Sequence, residues 1–522
     1  MHSYHMEQRR ENLTDITRAP DLSRRLELVI GLVAPIGTDV AAVNRHISGF
    51  LDSISFEVMH VRVSDWFDVP QNGQSGYRRY RQLMDAGDKY RRASRRKDAV
   101  ASIAVAQIMA AEEQNGSSGK PLAAVVRQLK TPEEIKTLRK IYGSRFVSLS
   151  CYSSRRARVE QLTRQLADEA NEIQTNRFRH KAERLILRDE QDSKDEWGQQ
   201  VRKAFPISDM FVGVDDHEVM KQSLHRLFEL LFSHPFHTPT KDECGMYQAE
   251  AAALRSSALG RQVGAVIATS DGDMVSIGTN EVPRAGGGLY WEGDSPDRRD
   301  FTLGFDSNDR FKEKLLGEVI KRLGRRGWLR KKYRRRDLKK LIERLIYTKR
   351  PVLAGAQIDN IIEFGRCVHA EMAAIVDAAR RGVSVNGCNL FTTTFPCHEC
   401  ARHIVAAGIR RVVYRVPYPK SLVRELYPDS VDVDAERHSD SLVLFAPFVG
   451  VAPRRFRQFF EMRSRKNDRG QTIQWTGDAI QLNLGDYFPN HELIQKDEAE
   501  FLLEIQQELE KDDRANQSEG AR

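Results

Sequence analysis

Cysteine is scarce in this chain, with six in 522 residues, and that excludes a scaffold built on disulfides. Cys151, Cys244, Cys367 and Cys388 read as reduced, mostly buried thiols. Long apolar runs are missing too. None approaches the roughly 18 residues that a membrane-spanning helix needs, and the opening MHSYHMEQRRENLTD is polar throughout. No membrane partner and no secretion signal are therefore expected, and the expected location is cytoplasmic. There is no internal repeat. The length suits two or three domains, each with its own core.

The net charge of +9 is not spread along the chain. Residues 321–350 hold 15 Lys or Arg against Asp337 and Glu343, a local net of +13, which leaves −4 for the rest. Such a run is either a solvated helical face or a surface for polyanions, a regulatory nucleotide or an RNA. Its aromatics are few: Trp328, Tyr333 and Tyr347. Binders of single-stranded nucleic acid usually interleave more of them for base stacking.

The chemistry concentrates between Cys367 and Cys400. His369-Ala370-Glu371 is followed by Pro396-Cys397-His398-Glu399-Cys400, with Cys397 28 positions after the histidine. One imidazole and two thiolates suit Zn²⁺, and three protein ligands (His369, Cys397, Cys400) leave a fourth position open, as in catalytic zinc sites. Glu371 opens an apolar-periodic helix (Met372, Ile375, Val376, Ala379), where its carboxylate can move protons without binding the metal. Cys388–Thr394 reads as a buried strand leading to a helix over Ala401–Ala407. The pattern H-x-E…P-C-x-x-C is the signature of zinc nucleoside and nucleotide deaminases. Cys367 is an alternative ligand by proximity.

The remainder predicts an α/β chain. Residues 1–22 read as a disordered tail. Residues 23–238 alternate strands with helices: strands at Leu26–Ile30, Leu122–Val126, Arg145–Leu149 and Met210–Val214, and helices at Pro132–Tyr142 and Val219–Phe232. That alternation implies a mostly parallel sheet. The first strand runs into Gly31-Leu-Val-Ala-Pro-Ile-Gly37-Thr38-Asp39, the position and glycine spacing of a phosphate-binding loop. What it lacks is the lysine and the hydroxyl, whose places hold Thr38 and Asp39. A P-loop NTPase-like domain with a degenerate loop is expected, with Gly31, Gly37, Thr38 and Asp39 as candidate nucleotide contacts and no phosphoryl transfer. Residues 160–203 read as charged and helical. His234 and His237 imitate a metal pair, but Pro235 and Pro239 beside them read as a turn, and the domain boundary falls there. The second domain, 239–450, begins with a helix (Met246–Leu259) and a hairpin, Gly264–Ala268 and Met274–Gly278, across Asp271-Gly272-Asp273. Asn280, before the glycine-rich Gly286–Gly288, suits a hydrogen bond to a sugar hydroxyl. Arg411–Arg415 reads as another strand. Tyr418 and Lys420 of PYPKS, with Arg261, offer an aromatic ring and cations near the site. Residues 451–522 read as an extension and a polar tail.

With these motifs in view, the chain resembles the bacterial anti-phage dCTP deaminases, in which a P-loop kinase-like domain is fused to a deoxycytidylate deaminase-like zinc domain. GLVAPIGTD, RQVGAVIATSDGDMVSIGTNEVPRAGGGLYW, EFGRCVHAEMAAI, TTFPCHECARHIVAAGI and PYPKS carry the resemblance, from about Leu26 to Ser421. It implies a cytidine deaminase-like α/β/α second domain, zinc on His369, Cys397 and Cys400, Glu371 as proton shuttle, and Asn280 on the deoxyribose. It also implies conversion of deoxycytidine nucleotides, dCTP or dCMP, to deoxyuridine nucleotides, which depletes dCTP during phage infection. Control by a noncoding RNA and a homo-oligomer, a hexamer in the deaminase relatives, are implied as well. The rival reading is a nucleic-acid-binding protein or editor that grips RNA or single-stranded DNA through 321–350 and acts on polymer cytosine.

Overall fold

Leu26–Val33 (β1) is buried on both faces: Leu26, Val29 and Val33 enter one core, Leu28, Ile30 and Leu32 another. A strand covered on both sides belongs at the centre of a parallel sheet. The remaining strands of that sheet are β2 (Glu57–Arg62), β3 (Leu122–Arg127), β4 (Phe146–Tyr152) and β5 (Met210–Gly213). These five are parallel to one another, in the order β5-β4-β1-β3-β2, and a sixth, antiparallel strand lies at the β5 edge. The computed structural model describes residues 26–69, 76–114, 120–190, 192, 195–334, 336–348, 351–418, 420–435, 441–461, 464–477, 480–483 and 491–520. The expected tail at 1–22, Arg335, Lys349 and Arg350 of the basic run, and Pro419 lie outside them.

The chain divides into two units, one running to Glu243 and resuming at Val449, the other Cys244–Phe448. The division falls inside the helix Lys241–Ala253. In the first unit β1 is followed by α1 (Val40–Ser53), and α2 is His217–Leu231. Both start on aspartates that take up free backbone amides, Asp39 from Ala42 and Asp216 from Glu218 and Val219, as N-caps do. The helix Pro132–Tyr142 starts with a capping box from Thr131 and Glu134. The expected strand at Leu26–Ile30 runs on to Val33, so Gly31 lies within it, against Leu129 and Phe146. Among the described residues of 160–203 the helices are Arg155–Asp168, the short Thr175–Phe178, Arg179–Glu190 and Val201–Ala204, with a break where Asn171 takes a positive φ of 50°. The sequence pattern does not announce the helix Ala99–Gln114. Its apolar residues surround it because Ala101, Ile103, Ala104, Val105 and Ile108 are all buried, and no amphipathic period is left to read.

Residues after 449, read from the sequence as an extension beyond the second domain, are built into the first unit. Gly450–Val451 adds an antiparallel edge to β5. Arg455 Nε bonds the fully buried Asp209 at 3.2 Å. Ile494, Phe501, Leu502 and Ile505, from the helix His491–Gly520, complete the core beside β1.

The second unit has its own six-stranded sheet: β6 (Gly264–Ala268), β7 (Met274–Thr279), β8 (Asn389–Thr394), β9 (Arg411–Val416), β10 (Val431–Val433) and β11 (Val443–Pro447), ordered β10-β11-β9-β8-β6-β7. The four strands β8 to β11 are mutually parallel, and β6 and β7 are antiparallel. Against it lie α3 (Ala370–Arg380) and α4 (His398–Ala406). The approach of α3 to β7 is unusually close: a Cβ on Gly278 would stand 2.1 Å from the carbonyl oxygen of Ala370. Ala370, Ala374 and Ala378 complete that small-residue seam. Together the units make a mixed α/β chain with two parallel-rich sheets. No helix among the described residues is long and apolar enough to cross a membrane.

Candidate active site

Two helix starts converge on one point in the second unit. His369 is the N-cap residue of α3 and Cys397 that of α4, while Cys400 sits in the first turn of α4. His369 Nδ1 lies 3.2 Å from Cys397 Sγ and 3.3 Å from Cys400 Sγ. The three donor atoms lie within 4.8 Å of one another, with both sulfurs buried. Cys400 N donates to Cys397 Sγ at 3.4 Å, so a helix N-terminus faces the sulfur that carries charge. The Cys397 thiol is held down to about 4, first by the hydrogen bond from Cys400 and then by His369, and Cys400 is pushed well up. His369 is pushed up to about 9, first by its bond to Cys397. One nitrogen and two sulfurs, converging and largely dry, fit a zinc ion and leave a fourth position. Loading it displaces protons from His369 and Cys400.

Glu371 stands beside this trio. Its Oε2 lies 3.4 Å from Cys400 Sγ and its Oε1 3.4 Å from Thr392 Oγ1. The side chain is buried, and burial, then the Cys397 charge, hold its carboxyl above the usual range. Cys367 is not in the cluster. Its thiol donates to Asp300 at 3.7 Å and is pushed up to about 12, chiefly by burial.

A cavity of about 260 Å³ opens onto His369, Glu371 and Cys397. Arg261, Asn280 and Tyr418 line it, with the Arg261 guanidinium 5.4 Å from the Tyr418 ring centre. Lys420 and Gly286–Gly288 do not line it. Asn280 also pins the cavity wall, since its Oδ1 accepts from Val263 N at 2.7 Å and its Nδ2 donates to Arg261 O at 2.8 Å. The sequence pattern does not single out Asp300, Asp306 and Asn308, which reach the cavity from the segment preceding the basic run, or Arg366, paired with Asp300 at 2.7 Å. The signal for Arg366 lay inside the motif EFGRCVHAEMAAI. For the other three there was none.

The first unit has a cavity of about 240 Å³ over the loop after β1. Gly37, Thr38 and Asp39 line it, and Gly31 does not. Gly37 has a φ of +87°, and a Cβ there would meet Arg158 O at 2.6 Å. The loop is already engaged by carboxylates. Asp39 caps α1, and Asp189 Oδ2 accepts the amide of Ile36 at 2.7 Å. Asp189 is itself paired with the buried Lys130 at 2.7 Å.

Residues 239–416 match the family described as the cytidine and deoxycytidylate deaminase zinc-binding region. The deoxycytidylate deaminase of Enterobacteria phage T2 is 43% identical over 54 residues, 10% of this chain and 29% of that protein. ComE operon protein 2 of Bacillus subtilis (strain 168) is 40% identical over 53 residues, 10% of this chain and 28% of that protein. Human deoxycytidylate deaminase is 30% identical over 105 residues, 20% of this chain and 53% of that protein. The chain thus spans less than a third of the phage and Bacillus relatives and about half of the human one. Among solved structures, the dCMP deaminase of cyanophage S-TIM5 in complex with dCMP and dUMP is 17% identical with a TM-score of 0.22, covering 41% of this chain and all of that one. The second unit therefore carries a deoxycytidylate deaminase-like zinc-binding domain. Its cofactor is zinc, and His369, Cys397 and Cys400 are the residues whose donor atoms fit it.

Proposed function

We propose that this protein hydrolytically deaminates a free deoxycytidine nucleotide, dCTP ahead of dCMP, to the deoxyuridine nucleotide and ammonia. The observation that carries this reading is Glu371, buried against the His369, Cys397 and Cys400 set at the base of a cavity. Zinc held by His369, Cys397 and Cys400 would supply a Lewis acid that activates water near neutral pH. Glu371 takes a proton from that water as its oxygen bonds to carbon 4 of the ring, and passes it to ring N3. Glu371 then carries the second proton to the amino group as the C4–N bond breaks. Ammonia leaves, and C4 keeps the oxygen as a carbonyl. The raised carboxyl of Glu371 makes it a stronger base toward water than an exposed glutamate.

Tyr418 offers a ring face to the base, and Asn280 keeps one amide N–H for a sugar hydroxyl. Arg261 and Arg366 bring cations for phosphate; Lys420, outside the lining, is the weaker candidate. In this reading the first unit is P-loop NTPase-like and does not transfer phosphate. The strand order around β1 and the loop's place before α1 support the fold, and the carboxylates of Asp39 and Asp189 support the silence. The resemblance extends the proposal to anti-phage depletion of dCTP, to a hexameric assembly and to RNA control. One observation suits a polyanionic partner at the basic run: Lys332 and Arg336 gather around the Tyr333 ring, 5.0 and 6.0 Å from its centre. Incubation with CMP, dCMP, dCTP and a cytosine oligonucleotide, measuring ammonia, tests the substrate. Release from dCTP or dCMP alone is expected. Release from the oligonucleotide alone would replace this reading with that of an editor.

A further inference from the structure

A second cluster of metal-ligating side chains lies in the first unit, far in sequence from the zinc site described above. Helix α2 ends with Glu229 in its last turn, and the chain reverses at Ser233, which takes a positive φ of 61°. His234 N donates to the Glu229 carbonyl at 2.8 Å, so the loop folds back over the helix end. That loop is held from three sides. Arg465 Nε donates to Pro235 O at 2.8 Å, Arg226 Nη2 donates to Thr238 O at 2.9 Å, and Trp475 packs its ring 4.9 Å from that of His234.

The result is a preformed group of donors. His237 Nε2 lies 2.7 Å from Glu229 Oε2, and the rings of His234 and His237 are 4.5 Å apart. One donor atom from each of Glu229, His234 and His237 falls within 4.8 Å of the other two, and all three residues are half-buried. His225, one helical turn before Glu229, places its Nε2 3.4 Å from Glu229 Oε1. A turn that merely reverses the chain beside two prolines does not need three histidines gathered around one carboxylate.

We propose that Glu229, His234 and His237 form a second metal site, for zinc or a divalent ion of similar softness, with His225 or water as the fourth ligand. Imidazole and carboxylate donors without sulfur suit zinc and its first-row neighbours. The ion draws on a lone pair of each ring. At His234, Nδ1 accepts from the amide of Phe236 at 3.3 Å, a long contact that a metal bond replaces. The Glu229–His237 pair opens by about half an ångström to seat an ion with bonds of roughly 2.0 Å. One ion with these ligands is a structural clip. It fastens the end of α2 to the loop that leads into the helix where the two units divide.

Metal content tests this independently of any catalytic assay. Full-length protein equilibrated with zinc and freed of loose metal is expected to hold two zinc ions per chain, one for each cluster. His237→Ala and the isosteric Glu229→Gln should each hold one. Cobalt separates the sites by ligand: the cysteine site gives thiolate-to-cobalt charge-transfer absorption, and the second equivalent adds ligand-field bands without it. In Cys397→Ser/Cys400→Ser protein, one cobalt should still bind, without the charge-transfer band. Wild-type protein that saturates at one zinc, or a His237→Ala variant that keeps two, would overturn the proposal.

Discussion

The Glu371 carboxylate lies 3.4 Å from Cys400 Sγ, against the metal-binding set without belonging to it. On the proposed reading, that position separates proton transfer from metal binding. Glu371→Gln should keep zinc and the thermal transition of wild type while turnover falls about 10²–10⁴-fold, the usual worth of a positioned acid–base group. Metal analysis and ammonia release on the same sample check both halves. Full activity in the variant would remove Glu371 from the mechanism.

Zinc removal should act on both activity and stability. With the ion gone, the site keeps a charged Cys397 in a buried setting, stabilised only by its neighbours. Chelation is expected to abolish deamination and lower the unfolding temperature, and zinc should restore both. At a thousandfold excess over its dissociation constant, the ion contributes about 4 kcal/mol to the folded state. Calorimetry with and without chelator reads that difference. An unfolding temperature indifferent to chelation would count against a zinc-bound folded state.

The metal site was legible because its ligands are local. His369 and Glu371 lie two residues apart at one helix start, Cys397 and Cys400 one turn apart at another, and a short strand joins the two. The walls of the cavity were less legible. Asp300, Asp306 and Asn308 arrive from a segment whose charge pattern points to solvent, and only the fold brings them to Arg366 and Glu371. The return of residues after 449 to the first unit was hidden for the same reason. Ile494, Phe501 and Ile505 mark a buried face on a helix, but nothing local says which core it enters. Gly31 misled by spacing alone: it serves packing inside β1, and only Gly37 has the backbone conformation of a loop glycine.

Gly278 sets where α3, and therefore His369, can sit. Its missing side chain lets β7 approach the first turn of α3, with the Ala370 carbonyl where a Cβ would be. Gly278→Val must push the helix away, and overpacking of this kind costs about 1–3 kcal/mol. Lower stability together with weaker zinc retention is expected, measured by denaturant unfolding and competition with a chelator. A variant as stable as wild type, with unchanged zinc affinity, would show that the seam does not position the ligands.

In the first unit, Asp189 holds both the loop amide of Ile36 and the buried Lys130. Asp189→Asn should leave that lysine without its charge partner, at a cost of about 3–5 kcal/mol, read as a lower denaturant midpoint with the slope unchanged. Wild-type protein should also transfer no γ-phosphate from ATP to a deoxynucleotide. Transfer that disappears on changing Gly37 would show a working kinase and reverse the reading of Thr38 and Asp39.

The basic run presents its charge on the helices Ser307–Arg325, Lys331–Arg334 and Leu338–Ile346. Lys332 and Arg336 both lie within 6.0 Å of the Tyr333 ring centre, which groups cations around one aromatic, and Trp328 is 80% exposed. Neutralising Lys332, Arg334 and Arg336 distinguishes two uses of that surface. If it meets the triphosphate, KM for dCTP should rise far more than KM for deoxycytidine. If it holds an inhibitory RNA, KM should stay, inhibition should vanish, and wild-type affinity should fall steeply as salt rises, since each phosphate contact releases a counterion. Unchanged kinetics, RNA affinity and oligomer size in the triple variant would leave the run as a solvated face.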